Sequence, residues 1–510
     1  PEDKLREAER CMLICEFHDI LPGTTIKDGE EYAIRKLNCG LAILEEIRNR
    51  AFIALTAGQP RASTGEYPIF VYNPHPFPIR KTVECELNLA NQNWDNTVNQ
   101  PEVYLDGKRI PCQLEKESAN LNLDWRKKVV FSAELQPFTM NRFSCFMHPE
   151  PIRKGEKVWN YLADCGDVKL VFPQAGGILE NIRCGGKALF AGPVRVSVYN
   201  YCSDPWGFDY NNYNRKLGEF RPMNAGEVST YLNDESVKEP VRVVEDGKVR
   251  TVIESLLIYR NTTLRLLFYV DRSDGTLKME YELNNSEKDK IFRLELQPTT
   301  EGKTEAGTCF GLDRPDKNGK EQFAQDYLLY EAGINSFGVV HFGNYGFRFD
   351  GKLLSLTLAH FPAYAGHPVA GRPLLTSHRY TERLDQGITR GKYVFVFEEE
   401  ATLKYSIARI NAIQKQPAEA LNFFPVRTEG RVSNLLTVEH PAVICSACFR
   451  KGKEIYLRLF NSCGESVESK ITSKALGLSD SIRLNGFAFA TFRLNEGKLM
   501  EIDLTKRENY

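Results

Sequence analysis

The chain has 510 residues, a length that accommodates about three domains at roughly 150 residues each. Its 42% apolar and 26% charged residues are ordinary for a folded protein and exclude disordered, collagen-like and small disulfide-scaffold classes. Lys and Arg (66) balance Asp and Glu (67) to a net charge of -1, which leaves no cationic surplus for nucleic acid. No apolar run approaches the ~18 residues that span a bilayer; the best local stretch is Ala51–Leu55.

The first 58 residues carry a helical period. Leu5, Ala8, Met12 and Cys15 recur at three- and four-residue steps, and the pattern stops at Leu21-Pro22-Gly23. It restarts at Asp28, whose side chain is expected to cap, with Glu31 completing a capping box. Ala33, Leu37, Leu41, Leu44, Ile47, Ala51 and Leu55 then share a face, and Gly58 ends the run. Two antiparallel helices bury only one seam, so this hairpin is expected to need a further partner. The chain opens Pro1-Glu2-Asp3-Lys4 without a Met, directly into the helical pattern, and reads as a cut rather than a natural start.

After Pro60 the period becomes two. Ile69–Tyr72, Val83–Leu89 and Val129–Phe131 read as strands. Asp106-Gly107, Asp246-Gly247, Asp274-Gly275, Asp350-Gly351 and Asn485-Gly486 read as hairpin turns, and Pro149–Lys157 as a linker. From Asp167 onward short strands dominate. The fold class is therefore mainly β: an N-terminal helical hairpin followed by β-sandwich units. The expected divisions are 1–58 (helical), 59–150 (small sandwich), 158–400 (large β-domain) and 401–510 (C-terminal strands completing it).

The 13 cysteines lack a framework spacing and favour a reducing compartment such as the cytoplasm; Cys85, Cys112, Cys145, Cys165, Cys184, Cys202 and Cys309 are scattered singly and read as buried thiols. Cys445 and Cys448 have redox spacing, but residues three apart on a strand point to opposite faces, so both read as core thiols. The densest chemistry is Cys11, Cys15, Glu16, His18 and Asp19. Positions 11, 15 and 18 share a helical face, where two thiols and an imidazole could hold zinc; core packing of both cysteines explains the spacing as well. His18-Asp19 sits where the helix meets the Pro-Gly turn, so both side chains can emerge at a helix end. A second cluster, Tyr199, Tyr201, Trp206, Phe208, Tyr210 and Tyr213 with Asp204 and Asp209, suits stacking on sugar rings or the pinning of a long loop.

Glu16-Phe17-His18-Asp19-Ile20-Leu21-Pro22-Gly23-Thr24 resembles the Q-F-H-D-x-x-P/T-G-T/S segment of glycoside hydrolase family 38, the zinc-dependent retaining α-mannosidases. Phe70–Pro78 (FVYNPHPFP), Asn344-Tyr345-Gly346-Phe347 with Leu353–Leu358, and His378-Arg379-Tyr380 with Leu384–Gly387 resemble later family segments in the same order. The resemblance implies that the helical hairpin is the remnant of a three-helix bundle. It also implies that the large β-domain is a galactose-mutarotase-like supersandwich. His18 becomes a zinc ligand and Asp19 a contact to mannose hydroxyls; Trp206 and Asp204 become further substrate-binding candidates, since a loop of that domain reaches toward the cleft. The implied substrate is a terminal α-mannoside or mannose-containing oligosaccharide, and multimers are common in the family.

Two departures accompany the resemblance. Leu358-Ala359-His360-Phe361-Pro362 carries His360 where the family often has arginine. The family's His-x-Asp zinc ligands and aspartate nucleophile belong to an N-terminal α/β domain that this sequence does not contain, so the chain alone is expected to be inactive. The rival reading is a non-catalytic carbohydrate-binding or scaffolding protein, and His18 discriminates: a ligand role requires it to stand exposed.

Overall fold

A computed structural model of the chain describes residues 2–118, 124–152, 162–165, 168–172, 178–184, 186–202, 205–206, 213–273, 275–366, 380–426 and 434–503. The chain is mainly β, with a helical hairpin in front, as the change of period requires. Helix α1 spans Glu2–Cys15 and helix α2 spans Lys27–Leu55. At 1.5 Å per residue α2 is about 43 Å long, so its two ends reach different domains. Near its C-terminus Phe52 packs with Phe70 and Met140 of the small sandwich. At its N-terminus Lys27 pairs with Glu382, and Tyr364 donates to Glu30 at 2.6 Å, both partners belonging to the large β-domain.

The hairpin differs from the sequence expectation in two ways. Its buried residues are Ala8, Cys11 and Cys15 on α1 and Ala33, Gly40 and Phe52 on α2, while Leu5, Met12, Leu37, Leu41 and Leu44 stand exposed. Small residues line the seam because Gly40 lets the helices approach: a Cβ there would lie 3.3 Å from the Ala8 carbonyl and from Cys11 Cβ. The capping box is absent. Ile26 is the N-cap of α2 and makes no side-chain cap bond, which puts Asp28 inside the first turn, where a carboxylate still favours the helix dipole.

The first small sandwich packs a five-stranded sheet on a three-stranded one. Its core includes Ile69, Val83, Phe131 and Phe143. The FVYNPHPFP segment is structural here. Buried Asn73 donates to the carbonyls of Phe77 and Leu135 and accepts from the His75 amide, tying the turn to the sheet. Pro149–Pro151 continue the strand Met140–Pro151 instead of forming a linker, and residues 153–157 lie outside the described set. Strand Glu419–Asn422 returns to this sandwich and pairs with Tyr67–Tyr72.

The large β-domain sets a six-stranded sheet against a ten-stranded one. Alternate residues of both inner faces, among them Val196, Val198, Leu264, Leu266, Phe268, Leu294 and Leu356, form one core, as period-two patterning dictates. Two helices lie among these strands where the sequence showed few helical windows. Helix α3 (Ala225–Leu232) carries a capping box from Asn224 to Glu227. Helix α4 (Glu400–Lys415) buries Leu403 and Ile407 against the ten-stranded sheet, at a spot where Gly338 leaves room for Ile407. Residues beyond 434 form a three- and a four-stranded sheet around a core of their own, including Leu457, Leu459 and Ile471.

The turn signals divide. Asp106-Gly107 closes a two-residue hairpin with both residues at positive φ (49° and 77°), as a type I′ turn requires. Asp274 lies outside the described residues. Asn485-Gly486 joins strands of different sheets and is no hairpin; a Cβ at Gly486 would strike the Gly464 carbonyl at 2.2 Å, so close backbone approach explains that glycine.

The sandwiches are joined by a buried ion cluster. Arg250, 2% exposed, donates to Glu115 (2.7 and 2.8 Å) and Glu84 (2.7 Å), and Lys128 approaches both carboxylates. Burial opposes the ionisation of Glu84, but Arg250 and Lys128 outweigh it and hold that carboxyl well below the usual carboxylate range. Among the described residues no helix is long and apolar enough to cross a membrane.

Candidate active-site face

Helix α1 ends at Cys15, and the chain then turns through 16–23. Amides of Ile20 and Leu21 donate to the Phe17 carbonyl (2.8 and 3.0 Å), and Gly23 closes the turn at φ +72° with nothing around its Cβ position. His18 therefore sits in the turn and shares no helical face with Cys11 and Cys15, whose thiols enter the seam. The structure thus removes the Cys11/Cys15/His18 ligand set: Cys15 donates to the Ala33 carbonyl on the other helix. His18 is 79% exposed and Asp19 38% exposed, with Nε2 and Oδ2 3.8 Å apart. The only ring against the imidazole among the described residues is Phe17, at 4.2 Å, itself exposed. A polar pair and an aromatic thus stand on the surface with no core role.

Besides the Lys27–Glu382 pair, further contacts dock this turn and the start of α2 on the large β-domain. Trp206 Nε1 donates to the Thr24 carbonyl at 3.0 Å, the Ala365 amide donates to the Thr25 carbonyl at 3.3 Å, and Tyr364 holds Glu30. Two candidates far apart in sequence, Trp206 and the His18–Asp19 turn, are brought together through backbone. Trp206 is half exposed beside the turn. Asp204, together with Phe208, Asp209 and Tyr210, lies outside the described residues. The remaining aromatics are wall rather than platform. Tyr199 is buried and donates to Glu295, and Tyr213 is buried against Tyr201 at 4.5 Å.

Next to these contacts a cavity of about 390 Å³ opens in the large β-domain, within the range of ligand pockets. Tyr201, His360, Glu321, Asn344, Tyr345 and Asp385 are in its lining. His360 packs at a tilt against Tyr201 at 5.1 Å, and burial lowers its pKa; its Nδ1 is buried with no hydrogen-bond partner among the described residues. Glu321 is held by a bidentate bond from fully buried Arg293 (2.7 and 3.2 Å). Gly346 makes room for it, since a Cβ there would come within 3.1 Å of Glu321 Oε1. Asn344 donates to Tyr281 Oη and to the Leu358 carbonyl, both at 2.8 Å, and burial pushes the Tyr281 hydroxyl up to about 12.

Asp385 is a carboxylate of this cavity that makes no ion pair among the described residues, and burial raises its pKa. Its backbone is left-handed (φ 55°), and two residues before it the Arg383 guanidinium grips Asp289 at 2.7 and 3.1 Å. Burial raises the Glu30 carboxyl as well; the Tyr364 hydroxyl opposes that shift, while Asp385 and Glu31 add to it. In sequence, Asn344 and Leu384–Gly387 stand only within family-like segments and His360 only as a departure from the family; Glu321 carries no signal. One cavity brings Asn344, Glu321, His360 and Asp385 together.

Among the described residues no group of three or more His, Cys, Asp or Glu side chains could hold a metal ion. His18 is thus a single donor, and the residues present do not by themselves fit zinc, which takes three or four protein ligands. The cysteine readings also change. Cys309 and Cys448 are exposed, not core. A bulge between Cys445 and Ala447 sets Cys445 opposite Leu459 and Cys448 opposite Leu457, so both thiols share one face, against the strand-parity argument. Burial pushes the Cys445 thiol up to about 12, which makes it inert.

At the level of sequence, no family model and no curated protein matches the chain. Solved structures do. An α-mannosidase from Enterococcus faecalis V583 superposes on 97% of this chain with a TM-score of 0.71 at 13% identity. A glycosyl hydrolase family 38 protein from Enterococcus faecalis covers 97% with a TM-score of 0.73 at 12% identity. The chain spans 64% and 66% of those two proteins' own lengths. From the helical hairpin to the C-terminal sheets, it has the fold of these glycoside hydrolase family 38 structures.

Proposed function

We propose that this chain is the hairpin-and-β portion of a zinc-dependent retaining α-mannosidase that hydrolyses terminal α-mannosides. The observation that carries the reading is the His18–Asp19 turn: a polar pair left exposed at the end of a helix, on a fold matched over 97% of the chain. A carbohydrate-binding or scaffolding protein has no use for such a pair at that point. In this reading His18 supplies one imidazole donor to zinc, and Asp19 accepts hydrogen bonds from vicinal mannose hydroxyls. Trp206 steadies the turn through Thr24, and its sequence neighbour Asp204 is a further substrate-binding candidate.

Retaining hydrolysis needs a carboxylate nucleophile and a second acid/base carboxyl roughly 5–5.5 Å apart. In this reading the nucleophile and the other metal donors belong to the α/β domain that the resemblance implies. That domain is also the occupant of the exposed apolar face of the hairpin, where Met12, Phe17, Leu37, Leu41 and Leu44 stand in solvent. About a third of each matched protein's length lies beyond this chain, which is room for such a domain. The test is hydrolysis of 4-nitrophenyl α-mannoside with zinc present. The 510-residue chain alone gives no turnover, and the chain joined to the segment encoded upstream does. Turnover by the isolated chain refutes the division of the site, and none from the joined protein refutes the mannosidase reading.

A further inference from the structure

The seam of the hairpin holds two thiols in register. Lys4 pairs with Glu46 at 2.6 Å, and Cys15 donates to the Ala33 carbonyl at 3.5 Å. Between those two contacts the antiparallel register brings Cys11 opposite Cys39, and burial together with the neighbouring Cys39 thiol pushes the Cys11 thiol up. Neighbouring Gly40 draws the helices together at this level, leaving only 3.3 Å between its Cβ position and Cys11 Cβ. A disulfide requires Cα atoms about 4.4–6.8 Å apart, a spacing that helices reach only where a small residue removes a side chain from the seam. The two cysteines also differ in access: Cys11 is buried and Cys39 exposed.

We propose that Cys11 and Cys39 form a reversible disulfide that staples α1 to α2 a few residues before the His18–Asp19 turn. A low-molecular-weight disulfide is the oxidant. The exposed Cys39 thiolate attacks it, forming a mixed disulfide and releasing one small thiolate. The Cys11 thiolate then attacks the Cys39 sulfur, forming the Sγ–Sγ bond and expelling the second small thiolate. The two protons lost by the cysteines end on the two released thiols, and the small disulfide is reduced as the pair is oxidised. Closing the chain between 11 and 39 restricts the unfolded hairpin and holds the end of α1 against fraying. The inference is independent of the mannosidase reading.

Oxidised glutathione is the probe. After incubation of the folded 510-residue chain, remaining thiols are blocked with N-ethylmaleimide and the protein is digested with trypsin. The expected product links the 11–27 peptide to the 37–48 peptide, with two of the 13 thiols lost. The link survives in Cys15→Ser and is absent in Cys11→Ser and Cys39→Ser. Amide exchange along α1 slows by about tenfold in the oxidised protein and recovers with dithiothreitol. Stable glutathionylation of Cys39 without the link, a link lost in Cys15→Ser, or unchanged exchange in α1 overturns the proposal.

Discussion

Along α2, Leu37, Leu41 and Leu44 stand in solvent, whereas Leu264, Leu266 and Phe268, at alternate positions of one strand, are almost solvent-free. Both segments carry a clean apolar period; they differ in whether the chain supplies something to cover it. The sandwich closes on itself, two sheets sharing one core. The hairpin closes only a seam of alanines, cysteines and a glycine, and leaves its larger side chains outside. Apolar periodicity thus reports that a face is built for burial without saying by what. It is on the uncovered element that the exposed His18–Asp19 pair sits.

The sharpest way to break this comparison is to truncate one residue on each side. Phe268→Ala is expected to cost about 3–5 kcal/mol. Leu41→Ala is expected to change the stability of this chain by about 0.5 kcal/mol or less. Chemical denaturation measures both, and equal losses would show that the hairpin face is already covered in solution. Next in size is the joint between the sandwiches. Arg250→Leu strands Glu84 and Glu115 as buried carboxylates and is expected to cost about 3–5 kcal/mol.

The same joint sets an acid limit. Because the folded state holds Glu84 below the usual carboxylate pKa, its contribution is present above about pH 4 and is lost as pH falls below that. Melting temperatures measured from pH 6 to pH 3 should fall most steeply at the acid end, and less so in Arg250→Leu; a flat profile contradicts the assignment. The smallest effect belongs to the dock between the regions. Trp206→Phe removes one half-exposed hydrogen bond to Thr24 and should cost about 1 kcal/mol or less. Faster amide exchange across residues 16–26, with the sandwiches unchanged, is its expected signature.

Much of the fold was legible in the sequence because local period decides it. The two-helix hairpin, the early strands and the Asp106-Gly107 turn follow from short-range pattern, whereas α1 stops at Cys15, before the Pro22-Gly23 breaker pair. Boundaries that depend on distant backbone were not legible. Asn485-Gly486 carries hairpin chemistry but serves a crossover against Gly464, and one extra residue at the Cys445 bulge reverses the side-chain parity that spacing implies. Helix α4 escaped notice because its few buried positions, Leu403 and Ile407, gain their meaning from the sheet beneath them. At the candidate site, the exposed position of His18 and Asp19 agrees with a helix-end reading. The docking of Trp206 on Thr24, and the cavity shared by His360, Glu321, Asn344 and Asp385, join residues too far apart for any local pattern to display.

The central claim is that this chain contributes one face of an α-mannoside-hydrolysing site through His18. The most direct measurement is kcat/KM for 4-nitrophenyl α-mannoside in the protein joined to its upstream segment, with and without His18→Ala. Since His18 is exposed and, among the described residues, packs only beside Phe17, the substitution should leave the melting temperature within about a degree. Loss of kcat/KM by about a hundredfold or more, with bound zinc reduced, is the predicted result. Unchanged kcat/KM and unchanged zinc content would contradict it.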